Sequence, residues 1–176
     1  MNNPVNQKEW HVVYTRSRAE KKVFTNLTQK NIECFLPLQK KLRQWKDRKK
    51  WVEMPLISSY CFVHINRKEN DKVLQTDNVV CFITFEGKPA KIPQCQIDVL
   101  RRITAQNDFQ VEVSRESFQP GKKVEILCGP LIGVQGELVS VRGKDRFIIR
   151  VEQIETAFCV EVPAEQLTVA LETVCR

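Results

Sequence analysis

From Pro120-Gly121 onward the chain is a succession of short β-branched runs, at 124–128, 134–141, 146–151, 157–162 and 167–169, parted by glycine or charged turns. Strands this short and closely spaced predict a small closed barrel over 120–172, because closure removes the exposed sheet edges that such strands would otherwise present.

The preceding stretch has a different grammar. Residues 10–15, Trp-His-Val-Val-Tyr-Thr, form a strand by propensity. Ser17 stands three residues before Glu20, the spacing of a capping box, and Ala19, Val23 and Leu27 recur at helical spacing with Phe24 alongside. They predict a helix over about 18–30 with its apolar stripe on a sheet. Strands are expected at 32–38, 57–65 and 79–85, a hairpin with a basic tip around 42–52, and a polar short helix or loop over 66–75. Glu86-Gly87-Lys88-Pro89 is a turn by its residues. Pro93 opens a second helical stretch, with Ile97, Leu100 and Ile103 a turn apart. The order β-α-β-β-β-α predicts an α+β domain, helices against a mainly antiparallel sheet, over 8–106. Residues 107–119 lack periodicity and read as a linker.

Charge divides at the same place. Residues 1–118 hold 21 Lys+Arg against 13 Asp+Glu, a net of +8, and 119–176 hold 7 against 8, a net of −1. Two units with different partners are expected. The seven cysteines include no C-x-x-C pair, and several lie in apolar runs, which suits buried free thiols of a reducing cytosol. A cytoplasmic monomer is expected. No apolar run of about 18 residues supports a membrane span, and the polar, charged start supports no secretory signal. His11 and His64, each in an apolar strand, read as hydrogen-bonded structural residues. Without ligand spacing, a glycine-rich phosphate loop or a nucleophile motif, the sequence offers no case for a metal, a cofactor or catalysis.

Four features carry the functional reading. Lys40, Lys41, Arg43, Lys46, Arg48, Lys49 and Lys50 crowd the hairpin, opposed there by Asp47 alone, and such a cluster attracts phosphate. Trp45 and Trp51 flank the tip; packing of the hairpin onto the domain is the expected role, base stacking the alternative. Arg16, Arg18, Lys21 and Lys22 form a second basic group at the start of the first helix. Tyr60 and Phe62, two apart on one strand, share a face, whereas Phe82 and Phe85, three apart, face oppositely unless the strand bends. Aromatics at strand spacing are core or a docking patch. Finally, Gly129, Pro130, Gly133 and Gly136 form a turn in which glycine permits positive φ and close strand approach.

Pro120, Gly121, Val124, Gly129, Pro130, Gly133 and Gly136 together resemble the KOW motif of NusG-type proteins. The run from Trp10 to Tyr14 followed by Glu20-Lys-Lys-Val23 resembles the opening of their amino-terminal (NGN) domain, and Pro55-Leu-Ile-Ser-Ser-Tyr-Cys-Phe-Val63 its central strand. Phe82-Ile-Thr-Phe85 followed by Gly87-x-Pro89-Ala-x-Ile-Pro93 is similar to specialised antiterminators of the RfaH and UpxY type. The resemblance implies an NGN α/β sandwich followed by a five-stranded KOW barrel. It also implies a non-enzymatic factor that reduces pausing and termination over long operons, often surface-polysaccharide loci. Tyr60, Phe62, Phe82 and Phe85 would then dock on the clamp helices of bacterial RNA polymerase. Arg16 and Lys22 would lie near the non-template DNA strand, with Arg18 and Lys21 in support by charge. Lys46, Arg48 and Lys49 of the hairpin stay a charge argument for nucleic acid. Ser58 stands where many members have proline before the tyrosine, and Ile132 replaces a common aromatic in the KOW loop. The KOW unit's partner, a ribosomal protein or Rho, is left open. The rival readings are a general NusG factor coupled to Rho and a KOW-bearing, ribosome-associated RNA-binding protein.

Overall fold

In chain order the elements of the first unit are β1 (Glu9–Thr15), α1 (Glu20–Gln29), β2 (Glu33–Phe35), β3 (Leu38–Gln44), β4 (Lys49–Pro55), β5 (Tyr60–Ile65), a 3-10 turn (Arg67–Glu69), α2 (Asn70–Leu74), β6 (Val79–Phe82), β7 (Thr84–Phe85), β8 (Lys88–Pro89) and β9 (Lys91–Ile92). They are seen in a computed structural model that describes residues 7–45, 47–105, 111–114, 121–128, 131–141, 144–160 and 167–169. The chain divides into two units, Met1–Gln94 and Cys95–Arg176. The unit boundary falls at the first residue of α3 (Gln94–Ala105).

The main sheet runs β2-β5-β1-β6, with β9 also paired to β1, and every pairing is antiparallel. Val13, Cys61, Val63 and Ile65 line one face and form a core with Val23 and Leu27 of α1, Ile32 and Val73. Burying a Val or Leu side chain fully contributes about 1.5–3 kcal/mol, so this layer holds α1 down. The capping box expected at Ser17 does not form: Ala19 is the N-cap, with no side-chain bond. Instead Glu20 is buried, and its carboxylate accepts the backbone N–H of Ser59 at 2.7 Å. A capping box does occur at Asn66, whose side chain accepts the Lys68 N–H while its own N–H donates to Glu69. The strand expected over 79–85 is broken at Ile83, giving β6 and a separate β7–β8 hairpin.

In the second unit Ile97, Leu100 and Ile103 of α3 are buried, as their spacing predicts. The strands β10 (Val111–Ser114), β11 (Lys122–Ile126), β12 (Gln135–Val141), β13 (Lys144–Val151), β14 (Thr156–Val160) and β15 (Leu167–Val169) form one antiparallel sheet in the order β10-β14-β13-β12-β11-β15. Residues 111–114, read from sequence as linker, are therefore a sheet strand, and Val111 is buried. The remainder of 107–119 lies outside the described residues, and the sheet resumes with β11 at Lys122. Phe147, Ile148, Phe158 and Val160 are among the most buried side chains of this unit. Among the described residues no helix is long and apolar enough to cross a membrane.

Candidate functional site

The sheet face opposite α1 is built from alternate residues of two strands: Trp10, Val12 and Tyr14 of β1 stand opposite His64, Phe62 and Tyr60 of β5. Burial falls off along that face. Trp10, Val12 and Phe62 are buried, Tyr60 is half-buried, and Tyr14 is 39% exposed. Tyr14 and Tyr60 meet edge to face, ring centroids 6.0 Å apart and planes at 73°. On its other side Tyr14 pairs with Cys81 of β6, which is exposed.

This geometry redistributes the four aromatics named from sequence. Tyr60 and Phe62 do share a face, but Phe62 is 0% exposed and packs on Phe35, ring centroids 6.0 Å apart. A side chain with no accessible area presents no docking surface, so Phe62 is core. Phe82 pairs with Val13 and packs against the α1-side cluster, on the opposite face from Tyr60. Phe85 is exposed at the β7–β8 hairpin, whose two-residue turn, Glu86 and Gly87, has positive φ at both positions. Tyr14 stands beside Tyr60 on this face, a neighbour not named from sequence; the alternation of Trp10, Val12 and Tyr14 carries its face but not its register with Tyr60.

Of the first basic group, Lys21 meets the hairpin. Arg16, Arg18, Lys21 and Lys22 are all exposed, and Lys21 Nζ reaches Glu53 of β4 at 3.8 Å. The β3–β4 hairpin turns where the Trp45 N–H donates to the Arg48 carbonyl at 2.8 Å, and Arg48 and Lys49 are exposed at its tip. Lys46 lies outside the described residues. The expectation that the tryptophans pack the hairpin onto the domain fails: Trp45 is 59% and Trp51 65% exposed. A cavity of about 510 Å³ lies beside them, lined by Lys21, Lys40, Lys50 and Glu53 among others.

In the second unit, Gly129 and Pro130 of the glycine turn lie outside the described residues. Gly133 has φ +76° and donates to the Ile126 carbonyl at 2.8 Å, while Leu131 is buried and Ile132 and Leu127 are exposed. Gly136 serves close approach: a Cβ there would lie 2.6 Å from the Ile148 carbonyl oxygen. Glu137 on the next position takes a two-point contact from Arg150, at 3.1 Å to each oxygen, and the Gly121 N–H at 3.0 Å. Burial raises its carboxyl, but Arg150 and the Gly121 N–H outweigh it and leave the carboxyl below the usual range.

The histidines are structural, as read. His11 Nδ1 lies 3.0 Å from the Ala90 carbonyl, the distance of an N–H donating to it, and burial lowers its pKa. His64 contacts Glu33 at 2.7 Å and stacks on Trp10. Burial pushes the Cys61 thiol up, as befits an inert buried sulfur.

Residues 8–101 match the family model described as transcription termination factor NusG. The chain is 26% identical over 151 residues to the transcription termination/antitermination protein NusG of Halalkalibacterium halodurans, covering 77% of this chain and 83% of that protein. A structure concerned with domain interaction in Thermotoga maritima NusG superposes with a TM-score of 0.55 at 19% identity, over 93% of this chain and 97% of that one, a likeness of fold.

Proposed function

The chain belongs to the NusG family of transcription termination factors, and from that membership we propose that it is an antiterminating elongation regulator that rides on RNA polymerase. The observation that carries the reading is the Tyr14–Tyr60 pair, Tyr14 exposed and Tyr60 half-buried, on the sheet face opposite α1. An amphipathic aromatic pair that is partly wet and partly packed is the composition of a docking surface, large in apolar area and low in side-chain entropy. Tyr14, Tyr60 and Phe85 dock on the polymerase clamp helices, while Arg16, Arg18, Lys21 and Lys22 face the displaced DNA strand. The second unit, a KOW barrel in this reading, recruits a further partner through the loop that exposes Leu127 and Ile132. The similarity of residues 82–93 to specialised antiterminators supports action on selected long operons. The effect needs no bond chemistry: a factor that binds the elongating state more tightly than the paused one shifts the population between them.

Transcription in vitro through a terminator, with and without the protein, tests the proposal. Read-through supports it. Enhanced Rho-dependent release would assign the chain to general termination coupling, and no effect on either would remove the elongation role.

A further inference from the structure

We propose that the β3–β4 hairpin is a stacking site for single-stranded nucleic acid, with Trp45 and Trp51 as base platforms and Lys40, Lys50 and Lys21 at the phosphates. The cavity beside the hairpin touches consecutive residues of β4, Lys50, Trp51 and Glu53 among them. It also touches Trp45 at the turn and Lys40 of β3, which stands opposite Glu53 in the register, so the groove draws on both strands of the hairpin. Among the described residues β4 pairs only with β3, which leaves its outer edge unpaired by any other strand.

The lining selects the occupant. A tryptophan buries about 150–250 Å² when it packs, and here two remain mostly exposed on either side of the hairpin tip. An apolar partner would leave the surrounding cations desolvated, because Lys40, Lys41, Arg43, Arg48, Lys49 and Lys50 are all exposed around them. A strand with a phosphate per nucleotide and a flat base on each sugar satisfies both halves of the groove at once. At about 510 Å³ the cavity falls within the range of about 300–1,000 Å³ typical of small-ligand sites. Glu53, which also lines the groove, pairs with Lys21 at 3.8 Å, an exposed contact that a phosphate can readily replace. Duplex is disfavoured, since its bases offer no free faces to the indoles.

The site rests on the elongation reading only for the source of the strand, displaced DNA or emerging RNA. The full chain is titrated with fluorescein-labelled dT15, rU15, a 15-base-pair duplex and an abasic 15-mer, with indole fluorescence followed in parallel. Both single strands are expected to quench the indoles and to bind more tightly than duplex or abasic strand; the tighter of dT15 and rU15 identifies the source. Trp45→Ala with Trp51→Ala is expected to weaken binding by roughly 5- to 150-fold per stacked base, and the Trp→Phe pair to restore most of it. Replacing Lys40 and Lys50 by alanine should lower the salt slope by about 0.7 per phosphate lost. Equal affinity for abasic strand or duplex, or unchanged affinity in the folded Trp→Ala variant, overturns the site. Terminator read-through with either of those results would sink the site alone; strand binding without read-through would sink the elongation reading alone.

Discussion

The carboxylate of Glu20 at the start of α1 accepts the backbone N–H of Ser59, the residue immediately before Tyr60, at 2.7 Å. Ser59 has φ +65°, and its carbonyl accepts the Thr15 N–H at 2.8 Å, so this one contact fixes the turn that delivers Tyr60 beside Tyr14. Hydrogen bonds to a charged group contribute about 1.5–3 kcal/mol, and Glu20 is only 5% exposed, so little is screened. Glu20→Ala should lower the stability of the first unit by that amount in urea denaturation, and Glu20→Gln, which keeps an acceptor, should recover part. An unchanged midpoint in the alanine variant would mean that the contact does not hold the turn.

The same pair marks where sequence reasoning stops. The helix over about 18–30 was legible because its stripe repeats every turn, and Glu20–Gln29 forms with Val23 and Leu27 buried. Ser17 and Glu20 had the spacing of a cap, but Glu20 was taken by a partner 39 residues away, which no local pattern announces. Alternation put Tyr60 and Phe62 on one face correctly, yet a shared face is not shared exposure: Val12 and Phe35 close over Phe62 while Tyr14 and Tyr60 stay at the rim. The tryptophans of the hairpin erred the other way, since large apolar residues predict burial unless the element that carries them stands clear of the sheet. Residues 111–114 show no strong period because the strand holds only four residues, and its pairing with β14 is what defines it.

Gly133 and Gly136 separate two uses of glycine, and alanine at each should expose the difference. At Gly133 φ is +76° and nothing lies within 4 Å of where a methyl would sit, so Gly133→Ala meets only backbone strain, about 1–2 kcal/mol. At Gly136 the methyl would sit 2.6 Å from both the Ile148 carbonyl oxygen and the Phe147 ring, so β12 and β13 must part. Overpacking of this kind costs about 1–3 kcal/mol, and a backbone neighbour that cannot rotate away places it at the upper end. Thermal denaturation should rank Gly136→Ala below Gly133→Ala, with both below the parent.

Glu137 gives the second unit an acid limit. Its folded carboxyl binds a proton less tightly than the ordinary value of 4.5, so the unfolded chain takes up the proton first as pH falls. The stabilisation is complete above the unfolded value and is lost as pH drops through the lower folded one. The denaturation midpoint should therefore be insensitive to this group near neutrality and decline below about pH 4.5. Glu137→Gln should lower the neutral plateau and flatten the acid decline. If the variant keeps the parent's acid slope, the carboxylate responsible lies elsewhere.

Phe62 and Tyr60, two residues apart on β5, should respond to substitution in different observables. Phe62 is fully buried, and truncation of a buried phenylalanine costs about 3–5 kcal/mol through lost transfer energy and the cavity left behind. Phe62→Ala should thus unfold the first unit at lower urea, and any loss of polymerase binding should track the fraction unfolded. Tyr14→Ser and Tyr60→Ser remove rim area that is already partly wet, so stability should fall by about 1 kcal/mol or less while retention on immobilised polymerase is lost. The informative comparison is made at a temperature where all three variants are folded by circular dichroism. Under that condition Phe62→Ala should still bind and the tyrosine variants should not. The reverse pattern would return docking to Phe62, and would require the sheet face to open before polymerase is engaged.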